Sequence, residues 1–551
     1  MEEERETKET ELHRTDRQQT AFSRRNFLLG AAASGMCLTG IGSAQCLAVT
    51  DNQAGAATAK AVPQKEALTA DVVVCGTGSS GMAAAVRAGE LGAKVIVLEK
   101  LPQMYMGGSS AFTSALFAVG SSMTKKQGVT KTVEECYKEQ IEYHRYAANA
   151  RVLRRFLGRS GATIDWLISQ GIQFSLHESN APNTHFYLTP KGSVGEGGTA
   201  FGLQALYAKG KEHGVQFLFE TPVTELTMKN GKVAGVIAVG QNSACIAIHA
   251  PVVIIATGGY SDSKELFERF TVYNYDSLEA YGVAGRTGDG IKLGLSAGAA
   301  LHHPDAVSFC NPKLPGEGEV SLVNVACCKQ QPLVWVNELG VRFADEGTIV
   351  DWTLNGQAIS LQRKIFTIAD TAIFDRIRSH GVWHGEPVTD LQPGTPQPDL
   401  FAKINRKLAE PNSIAFKADS VEKLAALLGL DPMVLVNTID TYNGYAASGK
   451  DVDFCKPAEW LLPIKQPPFY GFRAKLAFFN TLGGLKVDEF TRVIAKANGF
   501  PIPGLYACGS DGGGVFGHSY DVTLAPGTMQ GWCSTSGLLA AEDAVQRYLK
   551  V

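Results

Sequence analysis

The chain has 551 residues, 45% of them hydrophobic and 59 of them glycine, which is enough to bury a large core and too long for one ordinary domain. Its 51 Lys and Arg stand against 54 Asp and Glu, a formal charge of −3, so neither a basic face for nucleic acid nor an acidic tail is written in it. The 11 cysteines form no C-x-x-C and no C-x-x-C-H, which excludes zinc-ribbon, ferredoxin and haem-attachment patterns, and buried free thiols are expected, Cys327 and Cys328 included.

In chain order, "SRRNFLLGAAASG" (Ser23 to Gly35) places Arg24 and Arg25 before an apolar run that is too short to span a bilayer. Residues 1–48 therefore read as a twin-arginine export signal, and the small and polar residues 49–67 as a flexible linker. That route carries folded proteins, which implies a cofactor loaded before export. Apolar runs at Asp71 to Cys75, Lys94 to Leu98 and Val252 to Ala256 alternate with helical patterns at Met82 to Leu91 and Ala200 to His213. The alternation predicts a parallel sheet with crossover helices. From about His303 to Phe478 the pattern turns to mixed helices and short strands, with a helix expected around "DPMVLVNTIDTYNGYAASG". The expected fold is α/β: a bipartite Rossmann-like nucleotide-binding domain (68–302 and 479–551) holding an inserted α+β capping domain (303–478).

"DVVVCGTGSSGMAAAVRAGELGAKVIVLEK" combines a strand, the turn Gly76-x-Gly78-x-x-Gly81, a helix, a second strand and Glu99. The first glycine makes the tight turn, the second lets backbone approach a pyrophosphate, and the third packs the helix closely. The helix N-terminus would meet the phosphates and Glu99 a ribose diol. Further glycine turns follow at Gly107, Gly108, Ser109 and Ser110, at Thr257, Gly258 and Gly259, at Gly288, Asp289 and Gly290, and at Gly509 within "PIPGLYACGSDGGGVFG". Several separated turns around one nucleotide fit an extended FAD better than a nicotinamide that binds and leaves. Ser80, Lys100, Val223 and Asp511 complete the candidate cofactor-binding residues.

Together with "VWVNELGVRFADE", "PPFYGF" and "NTLGGLKVD", these segments resemble the flavoprotein family of soluble fumarate reductases, succinate dehydrogenase flavoproteins, urocanate reductases and 3-ketosteroid dehydrogenases, over about Leu68 to Leu549. The resemblance implies FAD, a capping domain that closes on substrate, and hydride transfer at a carbon-carbon bond beside a carbonyl. It also locates departures. The family's H-T-M-G-G segment is Asn480-Thr481-Leu482-Gly483-Gly484 here, its proton-donating arginine falls near Val350, and its C-terminal arginine is missing from Phe516 to Val522. A dicarboxylate would lose its charge-assisted hydrogen bonds, so fumarate is a poor candidate.

The remaining catalytic candidates are Tyr520, whose phenol can donate a hydrogen bond while neutral, His518 on the same loop, and His185 and Tyr187 in "NTHFYLTP". Asn480 joins them as the replaced ligand. His302 and His303 are expected at the domain hinge, without a metal site. Arg342 belongs to a structural turn by the resemblance, and the string Gly294 to Gly298 matches G-x-S-x-G inside a helix, where no nucleophile elbow can form. The expected activity is reduction of an activated C=C in a non-dicarboxylate enone, steroid-like or acrylate acceptor. Its rivals are the same fold desaturating a 3-ketosteroid and a non-catalytic flavin carrier. Expected partners are a small unsaturated substrate, a membrane-linked or exported electron donor and the twin-arginine machinery, with the folded chain exported to the periplasm or outer cell face.

Overall fold

A computed structural model describes residues 67–179, 183–189, 199–318, 320–385 and 391–550. The export signal and nearly all of the linker expected at the N-terminus lie outside them. No helix among the described residues is long and apolar enough to cross a membrane.

The strands Val72–Cys75, Val95–Leu98 and Val252–Ile255 are continuous apolar runs, as strands covered on both faces must be. They form the centre of a six-stranded sheet. Val252–Ile255 pairs in parallel with both Val72–Cys75 and Pro501–Ala507, so the C-terminal segment of the chain returns beside the N-terminal one. Gln216–Leu218 extends the sheet on one edge in parallel and Arg492–Ile494 on the other in antiparallel register. The helices Ser79–Glu90 and Thr528–Glu542 pack against each other on it. Small residues allow that approach: a Cβ added at Gly537 would lie 2.2 Å from the Ser80 carbonyl oxygen.

A second sheet is organised by one long strand, Phe469–Thr481, which pairs with Leu278–Ala280, Val307–Lys313, Ile365–Asp370 and Ala415–Ala418. This strand runs straight through the boundary expected at residue 478. It carries chain from the second sheet to the edge of the nucleotide-binding half without a linker, and residues 479 and 480 sit at its end. The helix expected in this region spans Pro432–Ser448, started by Asp431, whose carboxylate accepts from the Met433 and Val434 N–H groups, with Pro432 at its first position and Gly449 closing it at φ 67°.

Arg342 is buried in this half. It donates to Glu346 through Nε (3.0 Å) and Nη2 (2.8 Å) and to Asp451 through Nη2 (3.0 Å), and Lys456 approaches Glu346 at 3.2 Å. Burial pushes the Glu346 carboxyl up, but Lys456 and Arg342 outweigh it and leave the group below its ordinary value. Arg342→Ala is therefore expected to destabilise the protein by about 3 kcal/mol, because buried Asp451 then loses its guanidinium partner and Glu346 keeps only Lys456. Thermal unfolding of the flavin-loaded protein checks this, with activity per bound flavin retained below the transition. Ser296 ends the helix Asp289–Ser296 and donates to the Leu293 carbonyl, so the G-x-S-x-G string has no nucleophile. Among the described residues nine cysteines are free thiols, seven of them buried.

Candidate functional site

One cavity of about 1940 Å³ runs between the glycine turns of the first sheet and the inner surface of the second. It exceeds an ordinary small-ligand pocket and has room for an extended cofactor together with a substrate.

At one end it is lined by Gly76, Gly78, Ser80, Glu99, Lys100, Gly107, Gly108, Ser109, Ser110, Val223, Thr257, Gly258 and Asp289. The turn that opens it depends on Gly76, at φ 110°, where an added Cβ would lie 2.3 Å from the Ala256 carbonyl oxygen. At Gly78 a Cβ would meet nothing nearer than Ser110 Oγ at 3.8 Å, so bare backbone faces the cavity there. The helix Ser79–Glu90 begins on Gly78 without a side-chain cap, which suits an N-terminus that receives phosphate. Glu99 closes the second strand and accepts from the Thr77 N–H (2.9 Å) and the Leu101 N–H (2.9 Å). Lys100 donates to Asp289 (2.6 Å) and Thr287 (2.8 Å). Among the described residues the Ser109 hydroxyl is buried without a hydrogen-bond partner, as a group waiting for a ligand would be.

Four residues of the expected set stand behind this wall. Gly81 packs the helix onto the turn, where a Cβ would lie 2.0 Å from the Gly76 oxygen. The Gly259 N–H donates to Asp511, and the Gly509 N–H to Ser536 Oγ. Asp511 spends its carboxylate on the Thr257, Gly258 and Gly259 N–H groups and the Thr257 hydroxyl, clasping the C-terminal turn to the TGG turn. Burial pushes this carboxyl up to about 6 against those hydrogen bonds. Ser510, between Gly509 and Asp511, is the residue of that turn that lines the cavity.

The other end is lined by Tyr281, Arg286, Ser308, Asn311, Lys313, Val350, Trp352, Phe479, Asn480, Tyr520 and Thr523. Phe479 lies between Tyr281 (ring centroids 5.2 Å) and Trp352 (5.4 Å), forming an aromatic wall. Arg286 is held by Asp262 through Nε (3.2 Å) and Nη2 (2.9 Å), while its Nη1 donates to the Phe479 carbonyl and to Asn480 Oδ1 (3.3 Å). The guanidinium thus fixes the amide of Asn480 by its oxygen. Asn480 Nδ2 has no partner among the described residues and remains a donor. Tyr520 Oη accepts from the Gly527 N–H (3.2 Å) and the Met529 N–H (3.5 Å), which leaves its own proton free to donate. Burial pushes this phenol well above its ordinary value, so it stays neutral.

Thr523 Oγ1 donates to Asp351 Oδ2 (2.8 Å), and Gln357 donates to the His518 carbonyl (3.5 Å). These contacts stitch the Tyr520 loop to the helix Trp352–Ser360, whose first residue belongs to the aromatic wall.

Three expected catalytic residues are placed elsewhere. In the strand His185–Leu188 it is Phe186 and Leu188 that line the cavity, and the period of two turns His185 and Tyr187 to the opposite face. Tyr187 is buried in a core with its hydroxyl 2.6 Å from Ser121 Oγ, and His185 Nδ1 lies 3.4 Å from the Asn183 carbonyl. The His518 ring is 61% exposed, pointing away from the cavity toward Asp305.

Asp521, next to Tyr520, is fully buried, and burial pushes its carboxyl up to about 7 against hydrogen bonds from its own backbone N–H and from Thr528 Oγ1 (3.1 Å). The folded protein then holds a proton that the unfolded chain has released above about pH 4, so stability falls as pH rises from about 4 to about 7. Asp521→Asn is expected to flatten that slope and to raise stability at pH 8 by on the order of 2 kcal/mol, read from melting curves of both proteins at pH 5 and pH 8. Asp511 contributes a slope of the same sign, which cancels in the comparison.

Residues 71–522 match the FAD binding domain family model. The vinyl phenol reductase of Lactiplantibacillus plantarum is 33% identical over 483 residues, covering 86% of this chain and 96% of that protein. The digoxin reductase of Eggerthella lenta is 26% identical, covering 91% and 93%. Among solved structures, the open conformation of a flavocytochrome c3 fumarate reductase superposes with a TM-score of 0.65 at 25% identity, covering 87% of this chain and 79% of that one. The glycine cradle, the buried Ser109 hydroxyl and the size of the cavity fit FAD. The chain belongs to the FAD-binding domain family and is an FAD-dependent oxidoreductase.

Proposed function

We propose that this protein reduces a carbon-carbon double bond conjugated to an uncharged aryl or enone group, such as a vinylphenol. The observation that carries this reading is the charge state of the substrate end. Arg286 is matched by Asp262, Lys313 by Glu279, and Lys407 by Glu317 and Glu410. Asn480 and Tyr520, which offer donors beside the aromatic wall, are neutral. A neutral ring seated against Tyr281, Phe479 and Trp352 buries apolar area without leaving a charge unpaired. The printed activity of the vinyl phenol reductase relative supports the same class.

The flavin, when bound, supplies the hydride. The chain's own residues orient the acceptor and exclude water. Asn480 Nδ2 donates to the polar group of the acceptor, and the Tyr520 hydroxyl is the proton donor at the neighbouring carbon, its oxygen held by the Gly527 and Met529 N–H groups. Donors fixed in a buried site lower the barrier where charge develops.

The test supplies electrons from reduced viologen, without oxygen, and offers 4-vinylphenol, a 3-keto-4-ene steroid, urocanate and fumarate. Turnover of a neutral acceptor, with the saturated product identified, is the expected result. Preference for fumarate would overturn the reading, and in a separate arm without viologen, bleaching of the oxidised flavin by a saturated 3-ketosteroid would replace it with the oxidative direction. The paired Arg24 and Arg25 support export of the loaded enzyme by the twin-arginine route, with a membrane-linked electron donor. Replacing both by lysine should then hold the protein in the cytoplasm.

A further inference from the structure

We infer that His303, Asp305 and His518 form a site for a divalent transition-metal ion, separate from the flavin cavity. The three come from two distant segments, and their ligand atoms all lie within 4.8 Å of one another. Asp305 stands between the rings, with Oδ1 4.0 Å from His303 Nδ1 and Oδ2 3.8 Å from His518 Nδ1, while the ring centroids are 4.5 Å apart. Neither separation is a hydrogen bond, so the carboxylate is not satisfied by the imidazoles it faces.

The His303 ring is oriented from behind. Its Nε2 lies 3.0 Å from the Ala147 carbonyl, which can only accept, so Nε2 carries the proton and Nδ1 presents its lone pair toward Asp305. A backbone carbonyl fixing the outer ring nitrogen is the arrangement that metal-bound histidines use. His303 also holds φ at 40°, a left-handed conformation, and the neighbouring segment explains how tightly this turn is fixed: a Cβ at Gly483 would lie 1.7 Å from the His303 oxygen. Two imidazoles and one carboxylate suit Zn²⁺, Ni²⁺ or Cu²⁺, with water in the open positions. Small side-chain rotations would bring the donor atoms to the separation of about 3.3 Å that ligands take around a tetrahedral ion.

The placement gives the ion a consequence. His518 is two residues before Tyr520, and His303 and Asp305 lie in the turn where the chain enters the second sheet. A bound ion would tie the Tyr520 loop to that turn from the solvent side.

The experiment uses the untagged, flavin-loaded protein, treated with chelator and dialysed, then titrated with Zn²⁺ by calorimetry. The expected result is one zinc per chain, with a rise in melting temperature. His303→Ala and His518→Ala should each weaken binding by about tenfold or more, and Asp305→Asn should weaken it as well, while the exposed His380→Ala leaves it unchanged. Unchanged flavin content and melting temperature in chelator show that these variants fold, which makes loss of binding a loss of the site. Absence of zinc binding, or zinc binding that survives in the His303→Ala, His518→Ala double variant, would overturn the proposal.

Discussion

Tyr520→Phe is expected to lower kcat by about 10² to 10³-fold with little change in KM, the loss seen when a positioned donor to the transition state is removed. The variant keeps the ring that packs 5.5 Å from Phe516 and removes only the hydroxyl. It also strips the Gly527 and Met529 N–H groups of their acceptor, at a cost of about 1–3 kcal/mol in stability. The two effects separate experimentally. Flavin content and melting temperature report the second, and single-turnover reoxidation of the reduced flavin reports the first. If the hydroxyl only braced the loop, the rate per bound flavin would stay near the wild-type value.

Gly76→Ala is expected to remove FAD. The backbone there is left-handed, which costs an L-residue roughly 1–2 kcal/mol, and the added methyl would lie 2.3 Å from the Ala256 oxygen. The obstacle is backbone of the adjoining strand, so the turn itself must move and the cradle with it. FAD affinity of the deflavinated protein should fall by about a hundredfold or more, equivalent to roughly 3 kcal/mol. Gly92→Ala is the control, since Gly92 also has a left-handed φ of 88° but an added Cβ meets nothing within 4 Å. That variant should bind FAD normally while losing about 1 kcal/mol of stability.

The nucleotide-binding half was legible because its signals are local. Gly76, Gly78 and Gly81 act within six residues, and the jobs assigned to them are backbone geometry. The failures have a different origin. Tyr187 and His185 were expected to face the substrate, but in "HFYL" the apolar residues fall on both parities, so alternation does not say which side lines the cavity. Asp511 is acidic beside a glycine turn, which looks like a cofactor ligand until its carboxylate is seen clasping residues 257–259. Ser308 and Asn311 line the cavity at positions of opposite parity, and the irregular register between Phe309 and Pro312 is what brings both to one face. No period in "VSFCNPK" announces that.

The aromatic wall was missed for a related reason. Tyr281, Trp352 and Phe479 come from three separated segments and meet through the strand Phe469–Thr481. Asn480 was reached through a departure from a family pattern, and the structure adds the positioning group, Arg286, that orients it. Its neutralisation by Asp262 could not be read from spacing, because the helix Lys264–Phe270 and the strand Leu278–Ala280 lie between the two residues in the chain.

Among the described residues, the cations Arg286, Lys313 and Lys407 at the substrate end are each held by carboxylates, which favours a neutral conjugated alkene over a carboxylate. The most direct measurement mixes dithionite-reduced holoprotein, without oxygen, with a matched pair of acceptors, 4-vinylphenol and 4-hydroxycinnamate, and follows reoxidation of the flavin. An unpaired carboxylate in this cavity should cost several kcal/mol, so the neutral acceptor is expected to reoxidise the flavin about a hundredfold faster or more. Equal rates, or faster reoxidation by the carboxylate, would rule out a site built for neutral acceptors and point to a cation freed when the cavity closes.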